Sequence, residues 1–161
     1  MTTPSSEMRE IAKMALAMAL QLDSGMSADR ETAAAWAECF EMAQKVWPTE
    51  ARRAVVEHYS KPGSWRLTPG DIIAYCEKQP PWSSREHARQ FLEMWGGYPY
   101  STVIEAYTGH AWPEVIPPEG LKLTEERAWL VTVRGKWVAD NIEMLIGDLV
   151  ARKYVDPEAD R

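Results

Sequence analysis

Protein chemistry needs a nucleophile, a proton carrier, a metal-ligand cluster or a phosphate cradle, each at a characteristic spacing. Paired carboxylates occur at Glu125-Glu126 and at Asp140 with Glu143. Two such groups divide acid and base work when their environments push their pKa values apart. Here both pairs lie in a helical pattern. First-turn acids complement the helix dipole, and a solvated face accounts for the rest. His58 is of a residue type that serves as a general base. No nucleophile or orienting partner is readable beside it, and the end of a helix, near the last carbonyls, is its simplest place. His110, just before Trp112-Pro113, reads as loop packing.

The phosphate-binding and nucleophile motifs are missing. There is no GxxxxGK[ST] loop, no GxGxxG and no GxSxG elbow. Lys61-Pro62-Gly63-Ser64 lacks the glycine spacing that lets amides wrap a phosphate, and Gly96-Gly97 reads as a helix stop. His58, His87 and His110 are scattered, and Cys39 and Cys76 lack a CxxC spacing. The two cysteines read as reduced, buried thiols of a cytoplasmic protein. The N-terminus, with Glu7, Glu10 and a broken apolar run, reads neither as signal peptide nor as membrane span. The expectation is therefore no catalytic residue, no metal and no cofactor, hence not an enzyme.

The apolar residues are unusual in kind. Among 161 residues there are eight Trp and eight Met but two Phe. Tryptophan suits cores and interfaces alike. Trp65, Trp82, Trp95 and Trp112 fall near loops or helix ends and could stack on bases. That use needs clustered cations. Net charge is −6, with 9 basic and 11 acidic residues through Gln79 and 9 basic and 13 acidic after it. No basic stripe appears, so strong direct nucleic-acid binding is not expected. Protein contact is the preferred use, since Trp anchors protein interfaces. The candidate partner-binding residues are Trp82, Trp95, Tyr98, Tyr100, Trp112 and Trp137.

Apolar periodicity predicts an all-α fold. A first helix, about 5–22, carries Met8, Ile11, Ala12, Ala15, Met18, Ala19 and Leu22 on one face. A second, about 27–46, carries Trp36, Cys39, Phe40, Ala43 and Val46-Trp47. A third runs from Pro48 to Tyr59, burying Ala51, Ala54, Val55 and Tyr59. A fourth, about 69–78, presents Ile72, Ile73, Tyr75 and Cys76. Thr68 sits at an N-cap position, Pro69 at the first helical position and Asp71 three after the cap. Pro80-Pro81 is the best boundary. Ser83-x-x-Glu86 resembles a capping box for a fifth helix, 84–95, and a short helix follows at 100–107. Residues 108–122 are loop-like. The last element, capped by Thr124, runs to about Tyr154. Its stripe of Ala128, Val131, Gly135, Val138, Ile142, Leu145 and Leu149 packs inside the fold or pairs two copies as a homodimer. A hairpin over 130–138 is the competing reading of its centre.

The helix holding Trp36, the helix ending Ala54-Val55-Val56-x-His58-Tyr59, and Trp65-x-Leu67-Thr68-Pro69-x-Asp71-Ile72 together resemble a family. They are similar to the small N-terminal helical domain of phage helicase-loader proteins, as carried by phages and prophages of actinobacteria. The resemblance covers about Glu7–Lys78. It implies a helical domain over 1–79, followed in that family by a variable, partly disordered tail that contacts the helicase. Residues 80–161 match no family and read from their own pattern as a Trp-rich helical extension, and Tyr59 and Trp65 read as packing residues. The resemblance also implies a non-catalytic replication accessory protein, acting in the bacterial cytoplasm, that binds and loads or modulates a replicative helicase. Two alternatives stand beside it: a phage protein that inhibits another host protein, and a helix-turn-helix-like DNA binder built on the third and fourth helices.

Overall fold

The computed structural model describes residues 3–151. The protein is all-α, with eight helices and no strand among these residues. It divides between Gln79 and Pro80 into two compact units, each with its own core.

Unit 1 holds α1 (Ser6–Leu22), α2 (Arg30–Ala43), α3 (Pro48–Ser60) and α4 (Pro69–Glu77). Ser5 caps α1, its hydroxyl accepting from the Met8 amide at 3.2 Å. The buried face of α1 is Ile11, Ala12, Ala15, Leu16 and Ala19. It is turned from the expected one, taking in Leu16 and leaving Leu22 54% exposed. Alanines let the helices approach closely, and α1 packs on both α2 and α3.

The second helix is shorter than its apolar pattern. Asp29 is not in the first turn but is the N-cap, accepting from the Thr32 amide at 2.7 Å. Gln44 ends the helix in a left-handed conformation, φ 60°. Val46 and Trp47 remain buried, as connection rather than helix. Trp47 is held extended by the following proline, and Pro48 opens α3. Cys39 faces solvent, contrary to expectation, while Cys76 is fully buried. The helix face admits Trp36, Ala37 and Phe40, which leaves position 39 outside.

Thr68 and Asp71 make a reciprocal capping box at α4: the Asp71 amide donates to Thr68 Oγ1 at 3.4 Å, and the Thr68 amide donates to Asp71 Oδ2 at 2.8 Å. Leu67, just before the cap, and Ile72, just after it, are buried in the unit 1 core.

Unit 2 holds α5 (Arg85–Trp95), α6 (Val103–Thr108), α7 (Leu123–Asp140) and α8 (Ile142–Ala151). The cap of α5 is Ser84, not Ser83; its extended backbone lets the hydroxyl accept from the His87 amide at 3.2 Å. Helix α6 starts only at Val103, because residues 98–101 close a turn first, Ser101 N donating to Tyr98 O at 3.1 Å. It stops at Gly109, φ 77°. Lys122, not Thr124, is the N-cap of α7, its amide donating to Glu125 at 3.3 Å.

The long C-terminal helix is present in two pieces. Asn141 separates them, with φ −116° and ψ 13°, and its side-chain amide donates to the Trp137 carbonyl at 2.8 Å. Side-chain competition of this kind bends helices. Residues 130–138 are helix throughout, not hairpin; residues 152–154 of the expected element lie outside the described range. Val138, Leu145, Ile146 and Leu149 join Ala88, Leu92 and Ile104 in the unit 2 core, and α5 packs mainly on α8.

Arg134 is fully buried. It donates to Glu105 Oε1 at 3.1 Å and to the Ser101 carbonyl at 2.9 Å, and its guanidinium lies 5.2 Å from the centre of the Trp112 ring. Arg134 Nε and Glu105 Oε2 have no protein partner. Removing one member of a buried pair strands the other, at a cost of about 3–5 kcal/mol. Arg134→Ala is therefore expected to unfold unit 2 selectively, measured by hydrogen exchange in each unit, and Arg134→Met with Glu105→Leu to recover most of the loss. Thr68→Ala is expected to cost unit 1 about 1 kcal/mol by urea denaturation.

Candidate functional site

The segment that joins α3 to α4 brings its residues into one arrangement. Tyr59, half-buried, accepts the Leu67 amide at 3.2 Å and donates to Asp23 at 3.3 Å. Burial raises its hydroxyl pKa, and the Asp23 charge adds to that. His58 Nε2 donates to the Trp65 carbonyl, and its ring meets Tyr59 edge-on with centroids 4.9 Å apart. His58 thus fastens the turn instead of capping its own helix. Gly63 takes φ 68°, the left-handed conformation that lets Lys61–Ser64 turn back. Arg66 reaches Asp23 at 3.7 Å, and Lys61 reaches Glu57 at 3.3 Å.

Within this framework Trp65 does not pack. Its side chain is 86% exposed, while its flanks are pinned at Tyr59, Leu67 and Thr68. The expected packing role fails: of the residues in this turn it is Leu67, at 2% exposure, that enters the unit 1 core. A tryptophan carries about 200 Å² of largely apolar surface, or roughly 5 kcal/mol of gross burial energy. Here nearly all of it faces water, on backbone that is already ordered.

The six residues singled out beyond Pro81 divide into two groups. Trp82 lies against Tyr107, centroids 5.6 Å apart, and Trp137 leans on the unit 2 core. Trp112 lies half-buried against Arg134. These three are engaged in packing. Trp95 is half-buried beside Phe91 and Tyr98, its ring 5.2 Å from that of Tyr98. Tyr98 is 50%, Tyr100 66% and Met94 52% exposed.

The remaining chemistry-bearing groups are structural in their contacts. His110 pairs with Asp148, tying the 109–122 loop to α8. Glu143 binds Arg85 at 2.7 Å and Arg89 at 2.6 Å, and the Arg89 hydrogen bond leads the causes that lower its pKa. Asp140 pairs with Lys136 at 2.5 Å. Helix α4, the recognition helix of a helix-turn-helix reading, carries Asp71 and Glu77 on its exposed surface. Among the described residues no group of three or more His, Cys, Asp or Glu is placed to hold a metal ion, and no helix is long and apolar enough to cross a membrane.

Burial pushes the Cys76 thiol up to about 11. At about pH 8 it stays protonated and shielded, whereas Cys39 stands on the surface. Cys39 alone is expected to react with DTNB in the native protein, as read by mass spectrometry of the labelled peptides. Trp65→Ala is expected to change stability by less than about 0.5 kcal/mol, because nothing in the fold leans on its indole. No protein-family model, no curated protein and no solved structure matches the chain.

Proposed function

We propose that this protein is a non-catalytic adaptor that binds another protein through Trp65, and that its partner is a replicative helicase that it loads or modulates during phage replication. The observation that carries the binding role is the 86% exposed indole on a turn pinned at both ends. An ordered, solvent-facing Trp is the usual form of an interface anchor, since little conformational freedom remains to be lost when it is covered. The choice of helicase rests on the resemblance of Glu7–Lys78 to phage helicase-loader domains. The exposed Met94, Tyr98 and Tyr100 offer further contacts in unit 2. An adaptor without ATP chemistry works by differential affinity: it shifts a helicase ring toward the conformation it binds better.

Native mass spectrometry or pull-down with the replicative helicase, with ATP and without, tests the reading. A complex at micromolar concentration is expected. Trp65→Ala is expected to weaken it at least about tenfold, equivalent to about 1.4 kcal/mol. No complex in either nucleotide state would overturn the helicase assignment. A complex that Trp65→Ala leaves unchanged would remove Trp65 from the interface.

A further inference from the structure

Helices α1 and α2 enclose a groove of about 680 Å³ within unit 1, apart from the Trp65 turn in sequence. Ala28, Ala33 and Ala34 line it, Ala33 buried and the other two exposed, together with Arg9 and Lys13 from α1 and Arg30 from α2. The acids that share the groove are already used. Glu10 pairs with Lys13 at 3.2 Å. The Asp29 carboxylate accepts from the Ser27 hydroxyl at 2.5 Å and from the Thr32 amide at 2.7 Å, and these bonds hold its pKa below the ordinary carboxylate value. The guanidinium groups of Arg9 and Arg30 have no ion pair or hydrogen bond among the described residues.

The groove lining carries three basic residues, Arg9, Lys13 and Arg30, and two acidic ones, Glu10 and Asp29, a slight positive excess in a chain of net charge −6. A guanidinium binds carboxylate or phosphate through its paired N–H donors. The lining decides between the two. No aromatic residue borders the groove, so a nucleotide base would find no stacking surface. The Asp29 carboxylate caps the start of α2 and accepts from the Thr32 amide, so that helix end is not an anion site. A cleft between two helices lined by small side chains fits the apolar stripe of a third helix.

We propose that this groove binds an acidic amphipathic segment of a partner protein, with its carboxylates on Arg9 and Arg30 and its apolar side chains on Ala28, Ala33 and Ala34. The proposal rests on the reading of the chain as a protein-binding adaptor and names the chemistry of the partner segment. It is independent of whether that partner is a helicase.

The test is a titration of the ¹⁵N-labelled full chain with a synthetic amphipathic peptide of Glu, Leu and Ala. Its Lys-for-Glu counterpart and single-stranded oligothymidine are titrated in parallel. The Glu peptide is expected to shift the amides of Ala28, Ala33 and Ala34. The Arg9→Glu/Arg30→Glu variant is expected to bind it at least about tenfold more weakly. Arg9→Gln/Arg30→Gln serves as the milder variant, and circular dichroism checks that both fold. Absence of shifts at the groove, shifts that persist in both variants, or preference for the Lys peptide or the oligonucleotide would each overturn the proposal. Groove binding of the Glu peptide together with failure to capture helicase would retire the helicase assignment and leave the groove standing. Capture of helicase without groove binding would do the reverse.

Discussion

A charge taken out of water organises unit 2. Arg134 is as buried as the leucines around it, in a helix whose neighbouring turns bring Leu130 and Val138 to the same face. A guanidinium in that position is tolerable only with a counter-charge and acceptors in reach. Glu105 comes from α6, the Ser101 carbonyl from the turn before it, and the Trp112 ring from the loop after it. One side chain thus fixes the start of α6, the path of the 109–122 loop and the rotation of α7. That is much of what a unit of this size must specify, and apolar packing alone would leave α7 freer to turn about its axis. The unpaired Nε–H and Glu105 oxygen mark the arrangement as one that holds geometry more than it gains energy.

Unit 1 packs mostly through neutral groups, with the fully buried Glu50 as a charged exception. Its helices meet through alanines, which leaves the α1–α2 contact tight, and aromatic bulk is supplied by Trp36 and Phe40, set edge-on at 6.3 Å and 72°. The connection between α3 and α4 is short and largely exposed, and several of its backbone groups are nonetheless bonded within the protein. Tyr59, His58, Thr68 and Asp71 supply the partners. The consequence is a rigid mount with Trp65 at its tip. Stability and display are assigned to different residues: Leu67 and Ile72 hold the segment to the core, and the indole between Ser64 and Arg66 is left to water. The α1–α2 groove shows the same division, since its acids are spent on local bonds and its arginines are not.

How much of this is legible in the chain follows from the range of the forces. The α4 start could be read residue by residue, because an N-cap, a first-position proline and an acid three residues on act through bonds closed within one turn. The end of α2 could not: the apolar pattern continues to Val46 and Trp47, and only the left-handed Gln44 shows that those residues reach the core from a connection. Arg134-Gly135 gave a turn-like signal inside a helical period, and the period prevailed because the arginine has a buried carboxylate to meet. The α1–α2 groove and its two free arginines left no signal in sequence, since they come from different helices.

By itself the sequence determined the all-helical class, the approximate positions of the helices and the lack of catalytic motifs, because periodicity and capping are local properties. Only the tertiary structure decided which aromatics serve the core and which face water. Trp82, Trp112 and Trp137 were drawn into contacts with Tyr107, Arg134 and the unit 2 core, whereas Trp65 was left to water and Leu67, two residues on, took the buried position. Burial depends on what the rest of the chain brings to a position, and that cannot be read from the residue or its neighbours in sequence.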